Sequence, residues 1–561
     1  MGFMERYKAA LNDLVSHSPV GRYFHLENSG HPNEIRGARF TTEMRAGLTT
    51  FFTMAYIIAV NAAVLTDSGG TCKCTDTVDP TCSTDEAYNL CLLDINRDFV
   101  TATAAISCLG SILMGVAANL PVAVAPAMGL NAYLAYQIVG FHGTGPIDYR
   151  VAMTAVFVEG FIFVGLSLLG VRQWLARIIP ASIKVACGAG IGLFLTLIGL
   201  SYSAGLGAIT GSKATPLDLG GCPEQYLDPD TGACLSHKAT SPTMWLGFLV
   251  GGVLTALLMT YKIRGAIIVG IALVSIFSWP RDTAITYFPR TAVGDSRFDF
   301  FKNVVTFHPI QKTLVVQDWN LADKAIGGQF ALAVFTMLYV DILDATGTLY
   351  SMARFSGVVD PATGDFPRST LAYSADAISI SIGSLFGSSP VTAFVESGSG
   401  IQEGGRTGLT AITTGLLFFV SLFFAPIFAS IPPWATGGAL ILVGCMMMRG
   451  VLAINWNYPG DSIPAFVTLM FMPFSYSIAY GLIAGIMCYA IINGATWAIG
   501  FVTRGKVLPP DYDNKEYWSL QADNPRSQPW FMRAMRGDKQ FWKSENPDSF
   551  ELQSTEIHTK A

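Results

Sequence analysis

Charged residues are scarce in this sequence. Asp, Glu, Lys and Arg together make up 13% of 561 residues, against about 25% in ordinary soluble domains. They crowd into the first 45 residues, the last 60 and three loops, and 407–448 carries none. Too little polar surface remains to clothe a soluble core of this size. Other absences narrow the function. No G-x-x-x-x-G-K-[ST] run occurs, so no P-loop holds ATP. Gly398-x-Gly400 followed by Gly404 misses the dinucleotide spacing and has no βαβ unit before it. No metal-ligand pair and no nucleophile–base pair falls at membrane depth. An intramembrane enzyme or receptor is therefore disfavoured, and no enzyme activity, metal, organic cofactor or nucleic-acid partner is expected. Residues 1–44 hold no short apolar stretch of the secretory type, and Gly2-Phe3-Met4-Glu5-Arg6 fails the myristoylation pattern at its Ser/Thr position. Membrane insertion is expected to rely on the first spanning helix.

What is abundant is apolar sequence, 51% of the chain, in runs of about 20 residues that match the hydrocarbon thickness of a bilayer. Read against Pro, Gly and charge punctuation, these runs predict an all-α polytopic membrane protein of about fourteen segments. They centre on 46–65, 99–118, 122–139, 151–170, 184–206, 243–260, 265–280, 327–350, 369–387, 390–400, 408–430, 433–448, 462–478 and 479–500. With the N-terminus inside, 24 Lys and Arg lie on inward segments and 11 on outward ones, six of the latter in the long stretch 281–324. Leaving out both tails and that loop, the short loops read 9 inside against 5 outside. The positive-inside rule thus puts both termini in the cytosol. Cys72, Cys74, Cys82, Cys91, Cys222 and Cys234 then fall in two outward loops, where disulfides are expected. The first four allow three pairings, with a zinc site at Cys72-x-Cys74 as an alternative, and Cys222 with Cys234 is the simplest guess for the other two. Cys108, Cys187, Cys445 and Cys488 are read as packing residues within spans.

Two segments break the pattern. Both start with Pro-Val: Pro121-Val122-Ala123-Val124-Ala125-Pro126-Ala127-Met128-Gly129-Leu130-Asn131, and Pro390-Val391-Thr392-Ala393-Phe394-Val395-Glu396-Ser397-Gly398. Each is too short to span as helix and too interrupted by Pro and Gly to continue as one. Each is the third of seven. Matching interruptions in two halves point to two inverted seven-span repeats with the binding site between them. Half-helices are expected to begin near Ala127 and Ser397.

Ionisable groups inside apolar runs are costly and mark function. Asp341 and Asp344, three apart on one helix face, imply a polar cavity, an exchangeable proton, or both. Glu396 lies on the tenth segment, where it is expected to stay ionised. Glu159 is either a relay carboxylate or a helix–helix contact. His142 and His308 are read as structural loop residues, and Glu403 with Arg406 as an interfacial ion pair or a gate.

Thr49-Thr50-Phe51-Phe52-Thr53-Met54-Ala55-Tyr56, Ala125-Pro126-Ala127-Met128-Gly129-Leu130-Asn131-Ala132 and Val340-Asp341-Ile342-Leu343-Asp344-Ala345-Thr346-Gly347 occur in order. Together they resemble the AzgA-like adenine–guanine–hypoxanthine permeases, over most of 36–505, with insertions like those of fungal members. The resemblance implies proton-coupled purine uptake at the plasma membrane, H+ being the coupling ion, and the fold of nucleobase–ascorbate transporters, for which homodimers are common. It implies a core domain (45–170 and 327–430) moving against a gate domain (171–280 and 431–500). A long extracellular connection (281–326) and cytosolic tails (1–44 and 501–561) complete the chain. Asn131, Asp341 and Glu396 would bind substrate and Asp344 would serve transport; Met128 and Ser397 are further candidate substrate contacts, and Asp344, Asp341 and Glu396 are the candidates for proton coupling. Ser397 stands where xanthine and uracil carriers often have Asn. Phe394, beside Glu396, offers a ring for stacking. An anion exchanger of the same fold and a cytokinin- or xanthine-preferring relative are the alternatives.

Overall fold

A computed structural model describes residues 3–515, apart from 33, 74–81, 83–84, 171–179, 202–204, 212–216, 228–232, 264, 321–323, 359–365 and 505. Cys74 and most of the expected tail 501–561 lie outside the described residues. Fourteen membrane segments follow one another along the described chain. Span 1 is Phe40–Asp67, broken at Ala55-Tyr56 into two helices. Span 2 is Glu86–Ala118, span 4 Tyr149–Leu168 and span 5 Ala181–Leu200. Span 6 is Pro242–Thr260 and span 7 Ala266–Ser278. Span 8 is Lys324–Ser356, span 9 Ser369–Leu385 and span 11 Gly408–Ser421, continued by Ala425–Phe428. Spans 12, 13 and 14 are Pro433–Met447, Pro459–Phe474 and Ile478–Val502. Eight of the described helices are long and apolar enough to cross a bilayer alone. Large apolar side chains such as Phe335, Phe474 and Trp497 face outward, as lipid contact requires.

Spans 3 and 10 are each a short strand followed by a short helix. Span 3 has Val124–Pro126, then Met128–Tyr133, prolonged as a wider helical turn over Leu134–Ile138. Span 10 has Val391–Ala393, then Ser397–Gln402. Extended backbone at membrane depth must find partners for its N–H and C=O groups. Here the two strands supply each other, pairing antiparallel with Val124 opposite Ala393 and Pro126 opposite Val391. Phe394 N–H donates to the Ala123 carbonyl (3.0 Å), and Ala127 N–H to that of Pro390 (2.8 Å). A side chain satisfies the outer edge of the first strand. The Ser111 hydroxyl on span 2 accepts from Val124 N–H at 3.0 Å and donates to its carbonyl at 3.1 Å.

Spans 1, 2, 4, 8, 9, 10 and 11 pack largely against one another, and spans 5, 6, 7, 12, 13 and 14 likewise. Span 11 meets span 2 at Gly408, where an added Cβ would fall 2.0 Å from the Gly115 carbonyl oxygen. Only glycine permits that approach, and it lets the Asn119 amide oxygen receive Gly408 N–H at 2.8 Å.

The 281–326 connection contains the helix Ala292–Lys302 and is pinned to span 2 by Asp98. That carboxylate, 1% exposed, receives the N–H groups of Gln311 (3.1 Å) and Lys312 (2.6 Å) and faces His308 Nε2 at 3.0 Å. Glu403 and Arg406 do not pair with each other. Glu403 meets Arg45 at 3.3 Å, and the Arg406 guanidinium donates to the Ser356 carbonyl. Cys108 and Cys187 are buried as packing residues, but Cys445 is exposed and Cys488 only half-buried, because the helix faces carrying them turn outward. Cys222 is bridged to Cys234 and Cys72 to Cys91, and Cys82 is also disulfide-bonded.

Candidate functional site

The half-helices begin where Pro and Gly predict, with Ala127 and Glu396 as their N-terminal flanking residues. Near them lie most of the singled-out side chains. Asn131 is 1% exposed; its amide N–H donates weakly to the Asn61 carbonyl (3.4 Å), and its amide oxygen has no partner. Asn61 in turn binds the Thr103 hydroxyl at 2.8 Å and receives that of Ser389 at 3.1 Å. It thereby joins span 1 to span 2 and to the approach to span 10. Glu396 is held by Tyr56, whose phenol O–H donates to Oε1 at 2.8 Å. Tyr56 sits at the break in span 1 and is buried. Thr53, one turn earlier, contacts the Ser399 hydroxyl at 2.8 Å. Sequence reasoning found Tyr56 only as part of a motif.

Span 8 supplies the next pair. Asp341 is fully buried with neither carboxylate oxygen partnered, whereas Asp344 is half-buried beside Thr348. Asp344 is also close enough to Glu396 for their charges to interact. Asp341 stands in the same relation to Asp344, to Glu159 of span 4 and to Asp376 of span 9. Asp376 is the acid that sequence reasoning missed. It lies two turns into span 9, a position easily taken for the membrane interface, yet it is fully buried.

The remaining candidates are structural in their visible contacts. The Ser397 hydroxyl oxygen receives the Ala123 N–H at 3.0 Å, locking the tenth segment to the third. Phe394 and Met128 are buried beside the strands (6% and 9% exposed), and the Phe394 ring stacks on no other ring among the described residues. No group of three His, Cys, Asp or Glu among those residues is arranged to hold a metal ion.

Crossed discontinuous segments with buried acids beside them define a multi-pass carrier built from two inverted halves. The same fold is found in the transmembrane domain of a cyanobacterial bicarbonate transporter, BicA. That match has a TM-score of 0.54 at 14% identity, covering 80% of this chain and 97% of the other. Residues 89–484 match the xanthine/uracil permease model, described as a permease family, and the chain belongs to that family. It is 59% identical over 541 residues to a protein named efflux pump notK' of Aspergillus versicolor, covering 96% of this chain and 93% of the relative. It is 58% identical to a putative xanthine/uracil permease of Schizosaccharomyces pombe (95% and 84% covered). It is 34% identical to the adenine permease AdeP of Escherichia coli (82% and 88% covered).

Proposed function

We propose that this permease takes up purine nucleobases (adenine, guanine, hypoxanthine) by proton symport across the plasma membrane. The single observation that carries the reading is the set of buried acceptors at the crossing. The Asn131 amide oxygen and both Asp341 oxygens have no partner, and Glu396 is held by one phenol. A neutral purine presents ring and exocyclic N–H donors beside ring-nitrogen acceptors. Carboxylates accept from the donors, and an amide can do both. The naming of AdeP as an adenine permease supports the substrate class. An anion exchanger would need cationic groups here, and the side chains flanking the crossing are acidic or neutral.

In this reading Asn131, Asp341 and Glu396 touch the purine, with Phe394, Met128 and Ser397 around them. Asp344 and Asp341 carry the coupling proton. Spans 1–4 and 8–11 move as a core against spans 5–7 and 12–14 as a gate, by an elevator or rocking motion. The termini are cytosolic, and the carrier works as a homodimer.

Labelled adenine uptake into cells lacking their own purine carriers is the direct test. No uptake above control cells would sink the reading. In vesicles, accumulation should follow an inward proton gradient. Expulsion of preloaded adenine against such a gradient would instead make the chain an exporter, as the name of the Aspergillus relative suggests. Glu396→Gln should lose adenine binding, because a donor replaces an acceptor. Asp344→Asn should bind adenine yet fail to accumulate it. The reverse pattern would make Glu396 the proton carrier.

A further inference from the structure

We propose that Glu159, Asp341 and Asp376 together form a buried proton-binding site behind the substrate contacts, and that the coupling proton carried by Asp341 and Asp344 is shared with Glu159 and Asp376. The inference rests on the proton-coupled reading above and extends it to two residues outside the substrate site.

The three acids come from three helices. Spans 4 and 9 touch at Gly160, where an added Cβ would fall 2.3 Å from the Ser381 hydroxyl oxygen and 2.8 Å from the Ala377 carbonyl oxygen. The Ser381 hydroxyl donates to the Phe157 carbonyl at 3.1 Å across the same seam. Glu159 precedes Gly160 and Asp376 precedes Ala377, so the seam sets both acids at one level. Span 8 packs on span 4, and the Asp341 charge there interacts with those of both acids. All three residues are 0% exposed, and none of their six carboxylate oxygens has a hydrogen-bond partner. The Ala393 N–H lies near Asp376 without reaching ordinary hydrogen-bond geometry.

Three unpartnered carboxylates cannot all be ionised together in such a place, since each carries a heavy solvation penalty and repels the others. Protonation resolves both problems. A neutral carboxyl sheds its charge and gains an O–H donor. Among the described residues the groups nearest the cluster are acidic or neutral, and the nearest cation in sequence to them is Lys184 of span 5. On span 8 it faces Asp344, which leads on to Glu396 of span 10 and Tyr56 of span 1. Span 5 brings Cys187 beside Asp344, with Tyr339 of span 8 against Cys187, and Lys184 one turn before Cys187. Span 2, packed on span 9, has no charged residue deeper than Asp98. A metal ion is disfavoured because, among the described residues, no three such groups are arranged to hold one. A proton can therefore pass from the Asp341 O–H to an Asp376 or Glu159 carboxylate, leaving Asp341 ionised toward the substrate. The return transfer neutralises Asp341 again.

The test uses the purified full-length protein. Calorimetry of adenine binding in two buffers of different ionisation enthalpy counts the protons exchanged. Glu159→Gln and Asp376→Asn should bind adenine within about threefold of wild type, change that count, and lose gradient-driven accumulation in vesicles while still exchanging adenine. Wild-type proton counts and accumulation in both variants would overturn the proposal. A substrate-free readout covers misfolded variants and failure of the purine reading alike. Infrared spectra of the wild type at neutral pH should contain the C=O stretch of protonated, exchange-protected carboxyls, and its absence would overturn the site. Wild type with that band but without adenine binding would leave the site standing and remove the purine.

Discussion

Two sets of buried acids can be compared within this one molecule. Glu43, one turn into span 1, and Asp98, where span 2 meets the 281–326 connection, are 0% and 1% exposed and surrounded by donors. Glu43 receives the N–H groups of Arg406 (3.0 Å) and Thr407 (3.2 Å) and the Thr410 hydroxyl (2.6 Å), capping span 11. Asp98 receives two backbone N–H groups and faces His308. Deeper along the helices, Glu159, Asp341 and Asp376 are equally buried and have no partner. Burial alone therefore does not separate architecture from function in this fold. The donors do. An acid fitted with donors holds elements together, whereas an acid left without them is free to trade a proton or a ligand.

The contrast is most exposed to test at Glu43. Glu43→Ala strands three donors at the start of span 11 and should destabilise the protein by about 1–3 kcal/mol for each donor left buried and unpaired, read as thermal unfolding in detergent. Asp341→Asn leaves no stranded partner and should cost less than about 1 kcal/mol by the same measurement. Equal losses would erase the distinction. Asp98→Asn should cost roughly 1.5–3 kcal/mol and free the 281–326 connection, seen as faster hydrogen exchange around Gln311 and Lys312. Asn131→Ala should weaken adenine binding by roughly 1–3 kcal/mol, since a purine polar group loses its partner, with unfolding nearly unchanged. An unchanged competition profile would remove Asn131 from the site.

The smallest effect belongs to His25, outside the spans. Burial first, then His31 and Arg368, hold its imidazole below the usual 6.5. The folded state thus resists its protonation. Its contribution is complete above about pH 6.5 and fades as pH falls from there toward the lowered value. Proteolysis of the N-terminal segment should quicken over that window in wild type and not in His25→Gln.

Much of this was legible in the chain. Pro-Val followed by Gly and a polar residue announced both interrupted segments, because Pro and Gly act locally. For the same reason the half-helix starts at Ala127 and Ser397 could be placed. Asp341 stood out because apolar residues surround it on both sides in sequence. Asp376 did not: Ser374, Ser379 and Ser381 make its neighbourhood look polar, and its burial is tertiary, span 9 being packed against spans 4 and 2. Glu43 was hidden among the charges of the N-terminal tail for a similar reason, since its partners lie more than 360 residues away in sequence. The exchange of partners that gave Arg45 to Glu403 is likewise tertiary.

The strand pairing of Val124 with Ala393 also sets a timetable. About 270 residues separate these partners. At roughly 5–20 residues per second, the ribosome delivers the second strand some 15–50 s after the first. Through that interval the Val124–Pro126 backbone lies in a nascent chain with no sheet partner, a state that lipid does not tolerate. The first half must therefore wait at a wet or protein-lined place, such as the insertion machinery, until the tenth segment arrives. Truncation between the halves should leave a fragment destined for quality control rather than a half-sized carrier.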